Sequence, residues 1–164
     1  MIERDGASGV SHRSVGREAG LPVTASTYYF ESIDALLTAA LTTCMNEDAE
    51  RLRALAEAPA DGTDPRRKLA LLMTDILTRP GHLLAEFELC LLASRRPDLR
   101  GPTRLWHRTL DDFARLFTDD PLRAKVFVNA YDGLLLQALM ADEPPTTDEF
   151  EAMLRQLLPD VSPG

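Results

Sequence analysis

Apolar residues recur at intervals of three and four positions along most of the chain, the spacing that gathers them on one face of an α-helix. No run alternates strictly between apolar and polar residues, and no Asn-Gly pair indicates a β-hairpin. The pattern therefore predicts an all-α fold. Proline and glycine divide the chain into successive helices, with breaks at 20–22, 59–65, 80–81, 97–102, 119–121 and 144–145.

Three of the predicted helices begin with capping residues. An aspartate followed by a proline occurs at 64–65 and again at 120–121. The aspartate oxygen can accept hydrogen bonds from free backbone amides, and proline loses no needed donor at the first helical position. Thr146 and Glu149 have the spacing of a capping box, which predicts that a short amphipathic helix begins there.

Two segments, 83–93 and 126–140, are apolar around almost their whole circumference. A helix of this composition is buried on more than one side. In a chain of 164 residues, a partner subunit is the expected second cover. The alternative is a core formed entirely within one subunit.

The beginning of the chain predicts two short helices joined by a tight turn. Ser11 is a suitable cap for a helix that ends at Ala19, and Gly20 supplies the turn. A second helix is predicted from about 23 to 30, and a longer third helix begins near Ser32. Two short helices around a glycine-containing turn form a helix-turn-helix, whose second helix enters the major groove of DNA.

The stretch 15–37, VGREAGLPVTASTYYFESIDALL, resembles the signature of the tetracycline-repressor (TetR) family. The matching positions are the alanine-glycine turn at 19–20, the aromatic run at 28–30, Ser32 and the Ala-Leu-Leu run at 35–37. The rest of the chain is similar to the family in its layout, a series of helices with two apolar ones.

The resemblance implies a helix-turn-helix DNA-binding domain at 1–36, whose first helix is shortened, and a C-terminal ligand-binding and dimerisation domain at 37–164. Members of the family are ligand-responsive transcription regulators, more often repressors, and act as homodimers on palindromic operators in the cytoplasm. The expected partners are therefore operator DNA, a second copy of the chain and a small-molecule effector. No metal and no cofactor are expected.

Side chains that carry a hydroxyl can bond phosphates or base edges, and methyl groups can contact thymine, which suits the second helix to close approach. By the family's pattern, the helix-turn-helix contacts DNA through Thr24 and Ala25 near the bases, Thr27 beside them, Tyr28 and Tyr29 near the backbone, and Ser11 and Arg13 near a phosphate. The alternative is that the aromatic run at 28–30 has a structural role and stabilises a small helical subdomain by packing, as aromatic clusters usually do.

A ligand site needs apolar walls and a few polar groups. The candidates are Met73, Phe87, Leu91, Trp106, His107, Phe113 and Tyr131. Residues of these types at helical spacing are more often core residues than cavity walls. By the resemblance, the last two helices, at about 121–140 and 147–158, form a four-helix interface with the symmetry mate. The residues predicted in this interface are Phe127, Leu134, Leu135, Met153 and Leu157.

The charge balance bears on how such a protein could bind DNA. The formal net charge of -8 argues against coating nucleic acid by charge alone, because phosphate binding depends on lysine and arginine. The first thirty residues are neutral, with equal numbers of basic and acidic side chains, namely Arg4, Arg13, Arg17, Glu3, Asp5 and Glu18. This neutrality motivates a second hypothesis, a helical dimer that binds a small molecule and has lost DNA binding.

Other classes of protein are disfavoured. No apolar run reaches the roughly 20 residues needed to cross a bilayer. Cys44 and Cys90 have neither metal-binding nor disulfide-framework spacing, which favours a reducing cytoplasm. No nucleophile elbow, phosphate-binding glycine loop, zinc spacing or catalytic carboxylate pair stands out, so the sequence does not predict an enzyme.

Overall fold

The computed structural model describes residues 9–57, 62–97 and 100–160. The secondary structure in these ranges is helical, which confirms the all-α prediction. The helices are α1 (His12–Ala19), α2 (Val23–Tyr29), α3 (Ile33–Glu57), α4 (Pro65–Leu77), α5 (Pro80–Arg95), α6 (Arg100–Ala114), α7 (Pro121–Met140) and α8 (Thr147–Leu157). The shortened first helix predicted by the resemblance falls within residues 1–8, outside the described residues. No helix among the described residues is long and apolar enough to cross a lipid bilayer.

The helix starts predicted from capping residues are confirmed. The aspartates at 64 and 120 each accept a hydrogen bond from the backbone amide two residues later, at 2.8 and 2.9 Å. Thr146 and Glu149 form both hydrogen bonds of the capping box at the start of α8. The breaks predicted at 80–81 and 97–102 coincide with the starts of α5 and α6.

The chain divides into two compact units. The first comprises the described residues of Met1–Asn46 and Gly81–Thr103, and the second those of Glu47–Pro80 and Arg104–Gly164. The functional boundary at residue 36 stays a prediction.

The second unit has a helical core with aromatic side chains at its centre. Helix α4 packs chiefly against α8, and both helices also contact α7. The rings of Phe113 and Phe127 stack with their centroids 5.9 Å apart, and the rings of Trp106 and Tyr131 meet edge to face at 5.7 Å. These side chains are all buried, so the core itself fixes how α6 and α7 pack.

A buried arginine ties the start of α4 to the end of α8. Arg66 is 2% exposed, and its Nη1 donates a 2.7 Å hydrogen bond to the backbone oxygen of Leu158. Its guanidinium also forms ion pairs with Asp64, at 2.6 Å, and with Asp160, and it lies 4.8 Å from the ring centroid of Phe117. These contacts satisfy a charge that would otherwise be costly to bury.

Candidate functional site

Helix α1 is fixed at both of its ends by local hydrogen bonds. The Ser14 amide donates to Ser11 Oγ at 3.1 Å, and the Ser11 amide donates to Ser14 Oγ at 2.8 Å. Gly20 ends the helix in the left-handed region, with φ of 65°. The cap at Ser11 and the turn at Gly20 therefore confirm the predicted start and end of this helix.

The turn after α1 folds closely back on the helix at Gly16. The Leu21 amide donates to the Gly16 oxygen at 2.8 Å. A Cβ at position 16 would lie 2.9 Å from the Leu21 oxygen and 3.4 Å from Val23 Cα. Only glycine fits this approach without a shift of backbone atoms. Our sequence reasoning did not single out this residue, although a glycine inside a helical pattern is itself a signal of close packing.

A hydrogen bond between side chains joins α1 to α2. His12 Nδ1 lies 2.8 Å from Ser26 Oγ, and Ser26 is 8% exposed. Ser26 thus faces α1 and leaves the other side of α2 at the surface. Sequence reasoning missed the role of His12, because its partner stands 14 positions further along the chain.

The surface of the helix-turn-helix carries the residues predicted to contact DNA. Tyr28 is 83% exposed and Tyr29 is 74% exposed, and their rings meet edge to face with centroids 5.2 Å apart. Ala25 is half-buried, and the other predicted contact residues are exposed, namely Ser11, Arg13, Thr24 and Thr27. Because the two tyrosines are so exposed, they contribute little to the packing of the helix-turn-helix. Phe30 is half-buried and contributes more to that packing.

The residues predicted to line a ligand pocket are distributed over both units. Trp106, Phe113 and Tyr131 are brought together in the aromatic core of the second unit, where Met73 is also buried. The other three lie elsewhere: Phe87 and Leu91 are on α5 in the first unit, and His107 is exposed on α6. Their role in ligand binding stays a prediction.

A groove of about 750 Å³ opens on the second unit beside α6 and α7. Its charged lining residues are Arg53, Arg108, Arg115, Lys125, Asp111 and Asp112. His107 also lines it, and the carboxylate of Asp132, at 3.7 Å between Oδ2 and Nε2, raises the pKa of His107. Of the residues that line this groove, His107 alone was among the ligand-site residues predicted from the sequence. The charged lining residues look like ordinary exposed charges on separate helices.

The residues predicted at a dimer interface have mixed surroundings. Phe127 and Leu135 are buried within the core of the subunit itself, and Leu134, Met153 and Leu157 are half-buried.

The exposed side of α7 carries other residues, which follow one another at intervals of four and three positions. They are Leu122, Val126, Asn129, Gly133, Leu136 and Met140, here called the α7 stripe. Because α7 is apolar nearly all round, the sequence pattern did not separate the core side from the stripe.

Solved structures of similar fold match almost the whole chain. SCO1917 of Streptomyces coelicolor A3, a member of the TetR family, is 33% identical, with a TM-score of 0.82 over 96% of this chain and 91% of that chain. The multidrug binding protein EbrR, solved with malachite green, is 35% identical, with a TM-score of 0.78 over 96% of this chain and 91% of that chain. In its complex with imidazole, EbrR covers 98% of this chain and 90% of its own, at 32% identity and a TM-score of 0.78.

The family model described as "Tetracyclin repressor-like, C-terminal domain" matches residues 60–160, which is more than half of the chain. None of the curated proteins matches the chain. The structural neighbours extend the likeness to the helix-turn-helix, since they cover nearly the entire chain. The chain therefore belongs to the TetR family of ligand-responsive transcription regulators, which are not enzymes.

Proposed function

We propose that the protein is a cytoplasmic homodimeric repressor that binds a palindromic operator and releases it when a small-molecule effector binds. The observation that carries the proposal is the surface of α2. Its inner side is held to α1 by the His12–Ser26 hydrogen bond, while its outer side exposes Thr24, Tyr28 and Tyr29. A second helix held in this way is the part of a helix-turn-helix that enters the major groove.

The exposed side of α2 carries small polar groups and no basic patch, so we expect it to recognise DNA through those small polar groups. We expect the hydroxyl and methyl groups of Thr24 and the methyl of Ala25 to meet base edges. Tyr28 and Tyr29 are highly exposed on this helix, and we expect them to bond phosphates together with Ser11 and Arg13. Few cationic side chains would contact phosphates, so the affinity for DNA should fall only slowly as the salt concentration rises.

The α7 stripe supports a second copy of the chain as its occupant. Alternating spacing of four and three positions is the pattern with which paired helices interdigitate along a seam. Gly133, in the middle of the stripe, has no heavy atom within 4 Å of where a Cβ would stand, so another backbone could approach closely there. A two-fold dimer would present two α2 helices to two halves of a palindrome.

The effector class is suggested by the ligands of a related protein. EbrR has been solved with imidazole, ethidium, malachite green and proflavin. Three of these ligands are aromatic cations, so we propose aromatic cations as the first effectors to screen. An effector would release DNA only if it binds the DNA-free conformation more tightly than the DNA-bound one.

DNA binding is tested by fluorescence anisotropy with DNA from upstream of the protein's own gene. We expect Tyr28→Ala to weaken binding to every sequence by about tenfold, because it removes a phosphate contact. Thr24→Ala should instead change the ranking of operator variants, because base contacts carry about 1–3 kcal/mol of discrimination. Thr43→Ala, a change at an exposed threonine on α3, is the matched control and should bind like the parent.

The replacement Tyr28→Phe separates the ring from the hydroxyl and should lose nearly as much affinity as alanine. If the parent protein binds operator and random DNA equally, the repressor proposal is wrong. The favoured function then becomes that of a dimeric small-molecule-binding protein, consistent with the neutral charge of the first thirty residues.

The dimer is tested by placing a charge on the α7 stripe. Val126→Glu should weaken self-association by at least about a hundredfold, because it buries an unpaired carboxylate in an apolar interface. Leu116→Glu, at an exposed leucine between α6 and α7, is the matched control. Sedimentation velocity should find the control dimeric and the V126E variant monomeric. A V126E dimer as stable as the control would contradict this interface.

A further inference from the structure

We propose that the groove beside α6 and α7 binds an organic anion, a molecule with an apolar ring system and a carboxylate or sulfonate group. This site would be additional to any that takes aromatic cations. It lies wholly within the second unit. Its test therefore needs no DNA. Asn129 lines the groove and also belongs to the α7 stripe, so the site borders the proposed dimer interface.

The charge of the groove is opposite to that of the protein. The chain has a formal net charge of -8, yet the groove has four lysine or arginine side chains against two carboxylates. One of these carboxylates, Asp111, is already neutralised by Arg115, at 3.3 Å between Oδ2 and Nε. The remaining carboxylate, Asp112, faces an excess of cationic groups.

Two of the cations have no partner of their own. Within the described part of the chain, neither Arg108 nor Lys125 forms an ion pair or a side-chain hydrogen bond, and both are exposed. Arg108 lies on α6 and Lys125 on α7, so the two cations line the groove from different helices. The oxygens of a carboxylate or sulfonate bound between them could accept hydrogen bonds from both.

The apolar lining and the volume of the groove favour an organic anion over an inorganic ion. Leu105, Pro121 and Val128 add apolar surface beside the charged groups. A volume of about 750 Å³ is in the range of sites that hold drug-sized molecules and is far larger than a phosphate needs. The groove is thus suited to an anionic head and an apolar body together.

Two further groups tune the charge at this site. Arg53 donates from Nη2 to Thr109 Oγ1 at 3.2 Å, which holds its guanidinium at the wall of the groove. The carboxylate of Asp132, 3.7 Å from His107 Nε2, raises the pKa of His107 and so favours the cationic form of its ring. Asp132 in turn offsets part of that positive charge.

The test uses anilinonaphthalene sulfonate, a fluorescent organic anion, titrated into the purified chain of 164 residues. Its uncharged analogue phenylnaphthylamine, which lacks the sulfonate, reports binding by apolar contact alone. The double replacement Arg108→Gln with Lys125→Gln should weaken binding of the sulfonate by at least about tenfold and leave the neutral analogue unchanged. The control Arg17→Gln with Arg104→Gln removes two exposed cations outside the groove and should bind like the parent.

A third variant covers the case in which the double replacement fails to fold. Asp112→Asn removes the carboxylate that opposes the anion and should tighten binding of the sulfonate about threefold. The proposal is overturned if both double variants bind the sulfonate equally, or if D112N leaves its affinity unchanged. It is also overturned if proflavin, an aromatic cation, is bound more weakly by the groove variant in the same way as the sulfonate.

Discussion

Replacing Arg66 with methionine is expected to lower the free energy of unfolding by about 3 kcal/mol. The replacement leaves the Leu158 carbonyl and the Asp64 carboxylate without the guanidinium that now satisfies them. Asp64 retains Arg155, at 2.8 Å, and is partly exposed, so the loss should be smaller than that for a fully buried charge. Equilibrium unfolding in urea, followed by circular dichroism, measures the difference.

Arg67→Met is the matched control for this prediction. Arg67 forms ion pairs with Asp148 and Glu151, at 3.0 Å for the second, but its side chain is 36% exposed. Ion pairs at the surface contribute about 0–1 kcal/mol, so this variant should be nearly as stable as the parent. If both variants lose the same free energy of unfolding, the buried Arg66 contributes no more to stability than the exposed Arg67, and the prediction is wrong.

The same network predicts how stability changes in acid. Hydrogen bonding to Arg66 lowers the pKa of Asp64 from its ordinary 3.8 to about 2. Because the folded-state pKa is lowered, the carboxylate stabilises the fold above its unfolded pKa, and this contribution is lost as pH falls from about 4 toward about 2. The fall in the urea midpoint over this pH range should be shallower in R66M than in the parent.

Replacing Gly16 with alanine is expected to weaken operator binding by about thirtyfold and to destabilise the helix-turn-helix by about 2 kcal/mol. The new Cβ would stand 2.9 Å from the Leu21 oxygen, a backbone atom that cannot move without displacing the turn. At an ordinary helical position, glycine to alanine is stabilising by roughly 0.5–1 kcal/mol, so the sign of the effect is diagnostic.

Gly101→Ala is the control, because position 101 is also helical and nothing lies within 4 Å of where its Cβ would stand. Anisotropy and thermal unfolding should show the G101A variant to be at least as stable as the parent, with unchanged DNA binding. Operator affinity in G16A equal to that in G101A would contradict the close approach of the turn to α1.

Features set by neighbouring residues were predictable from sequence. The cap at Ser11, the turn at Gly20 and the capping box at Thr146 each depend on residues within a few positions, so the starts and ends of their helices follow from local hydrogen bonding. The resemblance at 15–37 is local in the same sense. These signals were enough to predict the fold and the family.

Features that join distant parts of the chain were not predictable. The partners of Arg66 at 158 and 160 lie more than 90 positions away, so the residues near Arg66 in the sequence do not indicate that it is buried. The groove draws its lining from separate helices. On α7, the buried Leu135 and the exposed Leu136 are adjacent leucines. The core side of α7 is set by packing against α4, α6 and α8, and the sequence pattern of α7 alone does not show it.

The packing of Trp106 has an optical consequence. It is the single tryptophan of the chain, buried against Tyr131 in the second unit, while the other two tyrosines, Tyr28 and Tyr29, are exposed on the helix-turn-helix. Tryptophan emission therefore reports on the second unit alone, and tyrosine emission is dominated by the two exposed rings. An unlabelled sample carries separate spectroscopic reporters for the two units, so effector and operator titrations can be followed in one cuvette.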